Sequence, residues 1–395
     1  MIRNKYVVLG MTFVSLGLLG ALLSAIGASL PAIQRFFGTS IGQTGSVSVT
    51  FQLTYAIFCF LGGFLTDFFG KNRVLTVGGL LYGLCTLLLG LSSSFSVNLV
   101  LFALAGTGGG LLFIGANTMI VQLFPDRRGK FLNLLHLCFA IGSVLASLFV
   151  SVFLSAGGRW NAVFRLFGVL AVLTGVFFLF TTAGAPSAKF DSATLKGLFG
   201  KYKRMLANRA FLALLVANTL AIGTQFGTIY LMVLFLTNTR SVPLPSASLV
   251  LAAYFILLGA GRLLCSALIT RLPITRIVLL LLVLLFGSLL AGWLTRGPFS
   301  IMFFAFSGLA SSGLMPSLLA LASHMLPKEI TGLALGFMSM IGGLGGMALT
   351  KLVTWMAGDI GLNLAFLAVV FTALAALAYF VLKLRRFRAA ELGRI

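Results

Sequence analysis

Uninterrupted apolar runs of about 20 residues recur along the whole chain. As an α-helix rising 1.5 Å per residue, each run crosses a hydrocarbon layer of roughly 30 Å. Inside that layer water cannot satisfy the backbone, so such runs must be helical if they span. Runs at about 6–30, 43–65, 74–93, 96–123, 131–156, 161–182, 210–237, 246–270, 275–294, 298–325, 331–357 and 362–384 predict an all-α membrane protein with twelve transmembrane helices. A chain that is 59% hydrophobic and only 9% charged lacks the polar residues to cover a soluble domain. The first run has no small-residue cleavage site followed by a polar chain, so it reads as a retained helix rather than a removed signal. Cys59, Cys85, Cys138 and Cys265 all fall inside apolar runs, without metal-ligand spacing, and read as small buried hydrophobes.

The net charge of +22 invites a nucleic-acid partner, and its distribution argues against one. Most of the 28 Lys and Arg fall in alternate loops and at both termini, which is the positive-inside bias. That bias places both termini and the segment 183–209 in the cytoplasm, and the expected location is a bacterial inner membrane. Attraction to anionic lipid headgroups accounts for the surplus of cations. The segment 183–209 divides the runs six and six: an N-terminal half at 1–182, a cytoplasmic amphipathic linker at 183–209, a C-terminal half at 210–384, and a basic cytoplasmic tail at 385–395. Within the linker, Leu195, Leu198, Phe199, Tyr202, Met205 and Leu206 recur at helical spacing, which predicts a helix lying in the headgroup layer, with Asp191 as its N-cap. The halves also echo each other. Arg73-Val74-Leu75 recurs as Arg276-Ile277-Val278, and Phe124-Pro125-Asp126 as Leu326-Pro327-Lys328, as in pseudo-symmetric six-helix repeats with a site at their interface.

The loop between the second and third runs carries one of only six acidic residues. Its pattern, Gly63-x-Leu65-x-Asp67-x-x-Gly70-Lys71-x-Arg73, resembles the loop signature of the major facilitator superfamily. The resemblance implies the twelve-helix, two-half major facilitator fold. It also implies a gate built from Gly63, Asp67, Gly70, Lys71 and Arg73, in which the Asp meets the N-terminus of helix 11 and latches the halves on the cytoplasmic side. The corresponding loop of the second half, Thr270-Arg271-Leu272-Pro273, has no Asp.

Ionisable residues within the hydrocarbon are costly and are candidate functional groups. No Asp or Glu lies in a run interior: Asp126, Asp191, Glu329, Asp359 and Glu391 belong to loops, helix ends or the tail. Two cations do. Arg262 lies about nine residues from Arg271, roughly 13 Å deep, and Lys351 about eight residues before Asp359, roughly 12 Å from the opposite face. Without a carboxylate to neutralise them, the two cations predict an anionic ligand, Arg262 as a bidentate fork and Lys351 as a point charge. The bland alternatives are a bond from Arg262 to backbone carbonyls, and a Lys351 that snorkels or pairs with Asp359.

Gly259-Ala260-Gly261-Arg262-Leu263-Leu264 is similar to helix 8 of the oxalate/formate antiporter and monocarboxylate carrier branch. There the resemblance implies a helix 8 Arg, joined by a helix 11 Lys, holding substrate carboxylates. Asn117, Pro125, Leu132-Asn133-Leu134-Leu135-His136, Gly142 and Gly313-Leu314-Met315-Pro316 resemble the fucose and glucose/galactose carriers instead. Those carriers use embedded acids in helices 1 and 4, where this chain has residues such as Ser29 and Phe113.

Gln52, Asn117, Asn133, Asn218, Gln225, Tyr230 and Tyr254 are the candidate polar lining, and His136 and His324 read as hydrogen-bonded structural histidines or proton carriers. No phosphate-binding glycine loop, nucleophile–base set or metal cluster appears, so neither catalysis nor a cofactor is expected. The expected function is that of a monomeric carrier that moves a small organic anion by alternating access, in exchange or facilitated diffusion. The alternative is a carrier of a neutral sugar or a lysolipid-like amphipath. If Asp67 is the latch, Asp67→Asn weakens the state closed on the cytoplasmic side and slows turnover, leaving affinity in a locked conformer unchanged. Spectroscopic distances across that gate check it, and unshifted distances contradict the latch.

Overall fold

The computed structural model describes residues 4–124, 128–181, 192–268, 271–326 and 328–392. In the first half lie α1 (Lys5–Phe37), α2 (Ile41–Phe69), α3 (Lys71–Leu88), α4 (Phe95–Leu123), α5 (Arg128–Ser155) and α6 (Asn161–Leu179). After α7 (Ser192–Ala207) come α8 (Arg209–Thr239), α9 (Leu244–Leu268), α10 (Ile274–Leu294), α11 (Gly297–Ser311), α12 (Leu314–Met325), α13 (Lys328–Ala365) and α14 (Leu367–Glu391). Eleven stretches of the described residues are long and apolar enough to cross a membrane, counting α11 and α12 as one. The shorter, more cationic α3 packs among α4 and α6 and makes the twelfth. The chain therefore has the all-α, twelve-span architecture that its apolar runs predict.

Short connections with local caps turn each helix back on its predecessor. Asn4 accepts from the Tyr6 N–H at 3.0 Å to start α1, and Gly38, at φ 63°, ends it in the left-handed region. Ser40 and Gln43 then form a reciprocal capping box for α2. Pro31 does not interrupt α1, and its own carbonyl accepts from Arg35 Nε, one turn on, at 3.3 Å. The tenth span does break, between Ser311 and Leu314, because Pro316 in the first turn of α12 has no N–H to return to Ser312.

The two halves repeat one packing scheme. In the first, α1 lies on α5, α2 on α4, and α3 on α4 and α6; in the second, α8 lies on α13, α9 on α11, and α10 on α11 and α14. Two seams join them, α2 against α13 and α5 against α9, with α1 and α8 in contact between. The backbones come close: a Cβ on Gly142 of α5 would overlap the Gly17 backbone of α1, and one on Gly308 of α11 the Tyr254 backbone of α9.

On the face that carries both ends of the chain, here the linker face, α7 lies across the halves. Its Tyr202 ring packs on Phe60 of α2, centroids 5.6 Å apart, and on Phe337 of α13 at 6.2 Å. Met205 is buried beneath it, while Lys203, Arg204 and Leu206 are exposed; the side chains of Leu195, Leu198 and Phe199 lie outside the described residues. Asp191 and Asp126 lie outside the described residues.

The end of the chain differs from the expected free basic tail. Helix α14 runs on to Glu391, with Phe387 and Ala390 buried. Glu391 then caps α10 from a distance: its carboxylate accepts from the N–H groups of Ile274 and Thr275 and from the Thr275 hydroxyl at 2.8 Å. Pro273 precedes α10 and offers no side-chain cap, so the remote carboxylate supplies what the local sequence lacks. At the other face Arg240 donates to the Trp293 carbonyl at 2.6 Å and to Asn363 Oδ1 at 3.0 Å, tying α8 to α10 and α13. Glu391→Ala should cost about 1–2 kcal/mol of stability, the range for a lost helix cap. Faster amide exchange at 274–277, with a lower unfolding temperature in detergent, checks it; unchanged exchange there contradicts it.

Candidate polar site at the waist

Buried polar atoms without partners mark where a membrane protein departs from simple packing, since each costs about 1–3 kcal/mol unless water or a ligand satisfies it. Several such atoms belong to the middle of the bundle: both amide atoms of Gln52, the hydroxyls of Tyr230 and Tyr254, and Nε of Arg262. Trp160, Arg165 and Arg240 also leave a buried nitrogen unsatisfied, near the ends of their helices.

Arg262 sits on α9, where Gly259 and Gly261 clear space on either side of it. Gly259 faces Ala140 of α5, and Gly261 faces Ser312 beside the break in the tenth span. The guanidinium reaches across the α5–α9 seam, and Nη1 donates to the His136 carbonyl at 3.3 Å. Part of the bland reading thus holds, because one backbone carbonyl is engaged. A guanidinium has five N–H donors, however, and the Nε–H stays buried without a partner. The His136 ring packs 6.0 Å from Phe113 of α4 and faces the same cation.

Tyr254, two turns along α9, is buried with its hydroxyl turned toward Ser311, Arg262 and Gln225. It closes a hydrogen bond with none of them. Tyr230 stacks on Phe226 of α8 at 6.5 Å and lies near Tyr55 of α2. Gln52 lies against Gly346 of α13, where an added Cβ would come within 2.9 Å of its Oε1. Two other candidates have a backbone partner for the amide nitrogen, though Asn218 Oδ1 is also buried without one. Asn117 Nδ2 donates to the Phe113 carbonyl at 2.7 Å, and Asn218 Nδ2 to the Met338 carbonyl at 2.9 Å, which ties α8 to α13. His324 is exposed. The polar set thus contains Tyr55, Ser311 and Ser312 besides the expected residues. Nothing in the sequence distinguishes them from the many other Tyr and Ser in apolar runs.

Lys351 does not join Arg262. It is exposed on the side of α13 that also carries Ala348, Leu352 and Trp355, while Gly346, Thr350 and Thr354 turn inward and Gly345 faces α8. Measured from the face opposite the linker, Lys351 is about 15 Å deep and Arg262 about 27 Å, from ten and eighteen residues at 1.5 Å each. The two cations also belong to different seams, Arg262 to α5–α9 and Lys351 to the α2–α13 side. The expectation of one two-cation pocket is therefore corrected. Depth along a helix was readable from sequence, but rotation about the helix axis was not.

At the linker face the connection between α2 and α3 is the single residue Gly70, at φ 90° and ψ 147°, a conformation that favours glycine. Lys71 is buried, Arg73 is exposed, and Asn72 Nδ2 donates to the Thr181 carbonyl beyond α6 at 3.2 Å. Asp67 belongs to the last turns of α2, and its side chain lies outside the described residues. Gly63 faces open space; the close approach to α4 is made by its neighbour Gly62, against Ile114.

The sequence profile described as the Major Facilitator Superfamily matches residues 12–298 and 214–393, and the chain belongs to that superfamily. Its fold is similar to a bacterial homologue of the human lysosomal transporter Spinster in an inward-facing, unoccupied conformation. The TM-score is 0.79, with 98% of each chain covered at 18% identity. In sequence it is similar to the probable sulfoacetate transporter of Cupriavidus necator, 28% identical over 162 residues, or 41% of this chain and 37% of that one. The cis,cis-muconate transport protein of Acinetobacter baylyi is 29% identical over 169 residues, 42% of this chain and 40% of that one. The matches span less than half the length of these curated relatives.

Because the Tyr254 hydroxyl is unsatisfied, Tyr254→Phe removes a burden rather than a bond. The variant should unfold in detergent at the same temperature or higher, while losing about tenfold in affinity for the transported ligand, the worth of one hydrogen bond to a charged group. A fall in stability with unchanged affinity contradicts a ligand-facing hydroxyl.

Proposed function

We propose that this chain carries a small organic anion across a membrane by alternating access, with Arg262 as the main contact for the anion's charge. The observation that supports this reading is the incompletely satisfied guanidinium at the α5–α9 seam, with the orphaned Tyr254 hydroxyl beside it. A carboxylate or sulfonate accepts two parallel N–H bonds from such a fork, and a neutral ligand cannot compensate its charge. No acid lies in a predicted span interior, so the compensating charge has to come from outside the chain. Two relatives are named for organic anions, sulfoacetate and cis,cis-muconate, in keeping with this class. The positive-inside bias sets the linker face in the cytoplasm, with both termini. In a bacterium the corresponding membrane is the inner one.

The site spans a seam between the halves, which suits alternating access. A ligand held by α9 on one side and lined by α4, α5 and α8 on the other favours the closed arrangement by its differential affinity. Lys351, exposed on α13, is left out of this site. A second reading, a neutral sugar carrier with a structural Arg262, draws on the bond to the His136 carbonyl.

Uptake into proteoliposomes against a panel of sulfonates, carboxylates, organic phosphates, neutral sugars and lysolipids separates the two readings. Saturable transport of an anion is expected. Arg262→Ala should reduce anion affinity by about 2–5 kcal/mol, and Arg262→Lys should recover only part of it. Transport of neutral sugar alone, or normal anion affinity in Arg262→Ala, contradicts the proposal.

A further inference from the structure

The first half has a cleft away from the waist, of about 270 Å³, between α2, α3 and α4 near the linker face. Leu65, Phe69, Val74, Val77 and Leu111 form its walls, and Arg73 is its one charged member. The cleft opens outward. Leu65 and Phe69 extend the α2 row Leu53, Ile57 and Leu61, whose members recur every four residues and are all exposed apolar residues. Val77 begins a similar row on α3 with Leu84 and Leu88. In a membrane-spanning bundle, rows of exposed aliphatic residues contact acyl chains, so a cleft continuous with them is filled by lipid. Its floor, by contrast, is buried at Val74 and partly closed by Leu111. Arg73 lies two residues into α3, at the depth of the headgroups. It is exposed and, among the described residues, makes no hydrogen bond or ion pair.

An apolar slot closed at its headgroup end by an exposed guanidinium matches one kind of occupant. We propose that the α2–α3–α4 cleft is a binding site for an anionic phospholipid, its acyl chain lying along Leu65, Val77 and Leu111 and its phosphate on Arg73. A guanidinium binds a phosphate bidentately, and a cation at a membrane surface favours anionic over zwitterionic lipid. The bound lipid would touch the end of α2 and the start of α3, on both sides of Gly70. Lipid charge would then bear on the one-residue connection between these two helices.

Photolabelling of the full chain in vesicles tests this site by position. The probes are phosphatidylglycerol and phosphatidylcholine, each with a photoreactive diazirine in one acyl chain, followed by peptide mapping. Peptides that contain Val74 and Leu111 should be labelled about fivefold more by phosphatidylglycerol, the preference expected of one cation near the surface. Arg73→Gln should level the two lipids at these peptides. Val77→Trp, at an exposed position that tolerates bulk, should fill the slot and remove the label from Leu111 with either lipid. Labelling at Leu173, exposed on α6, should be unchanged throughout. Equal labelling by both lipids in the unaltered chain overturns the proposal. So does a preference that survives Arg73→Gln, or Leu111 labelling that survives Val77→Trp.

Discussion

A polar group that leaves water for hydrocarbon has to find its partner inside the chain, and most of this structure is an answer to that demand. The spans satisfy their backbones as helices. Buried hydroxyls bond back to a carbonyl one turn earlier, as Thr12, Thr228 and Thr350 do, or reach a neighbouring helix, as Tyr82 does to the Leu18 carbonyl at 2.7 Å. Helix ends receive caps from wherever a donor or acceptor is within reach, even from Glu391 at the far end of the sequence. Against that background, orphaned atoms on Gln52, Tyr230, Tyr254 and Arg262 stand out as groups arranged for something besides packing.

The position of these groups ties chemistry to movement. Glycines bring α1 to α5 and α9 to α11 within backbone contact inside each half, which makes each half a stiff unit. Between the halves the contacts are the two seams and the α1–α8 crossing, with Tyr202 of the linker helix wedged between Phe60 and Phe337 at one end. Arg262 belongs to one of those seams and donates across it. A ligand that competes for its N–H groups therefore acts on the contact between the halves and not only on its own pocket. Such coupling is what a rocking carrier needs, because a ligand shifts an equilibrium only as far as its affinities for the two states differ.

Much of the fold was legible because a membrane leaves so few choices. Apolar length gave the spans, and it gave the tenth as one run, 298–325, where the structure breaks ahead of Pro316. Helix ends were less legible: α1 and α14 run several residues past their apolar runs, and α14 does so because Phe387 and Ala390 find a buried place. Arg262 was marked out by charge and depth alone, and its side chain reaches across the α5–α9 seam. Lys351 could not be placed, since at equal depth a lysine on one face of a helix lines a cavity and on the other meets lipid. What decides is which side of α13 carries the glycines and threonines that pack on α2 and α8. Near the α2–α3 connection, the close contact with α4 falls on Gly62, beside the Gly63 of the loop pattern.

The most direct measurement is a structure of the chain with a bound organic anion, such as a small sulfonate or dicarboxylate that it transports. The account predicts the anion's oxygens within about 3 Å of the Arg262 guanidinium, the usual charge-assisted distance, with the Tyr254 hydroxyl also donating. An anion bound elsewhere, with Arg262 still held only by the His136 carbonyl, would contradict it.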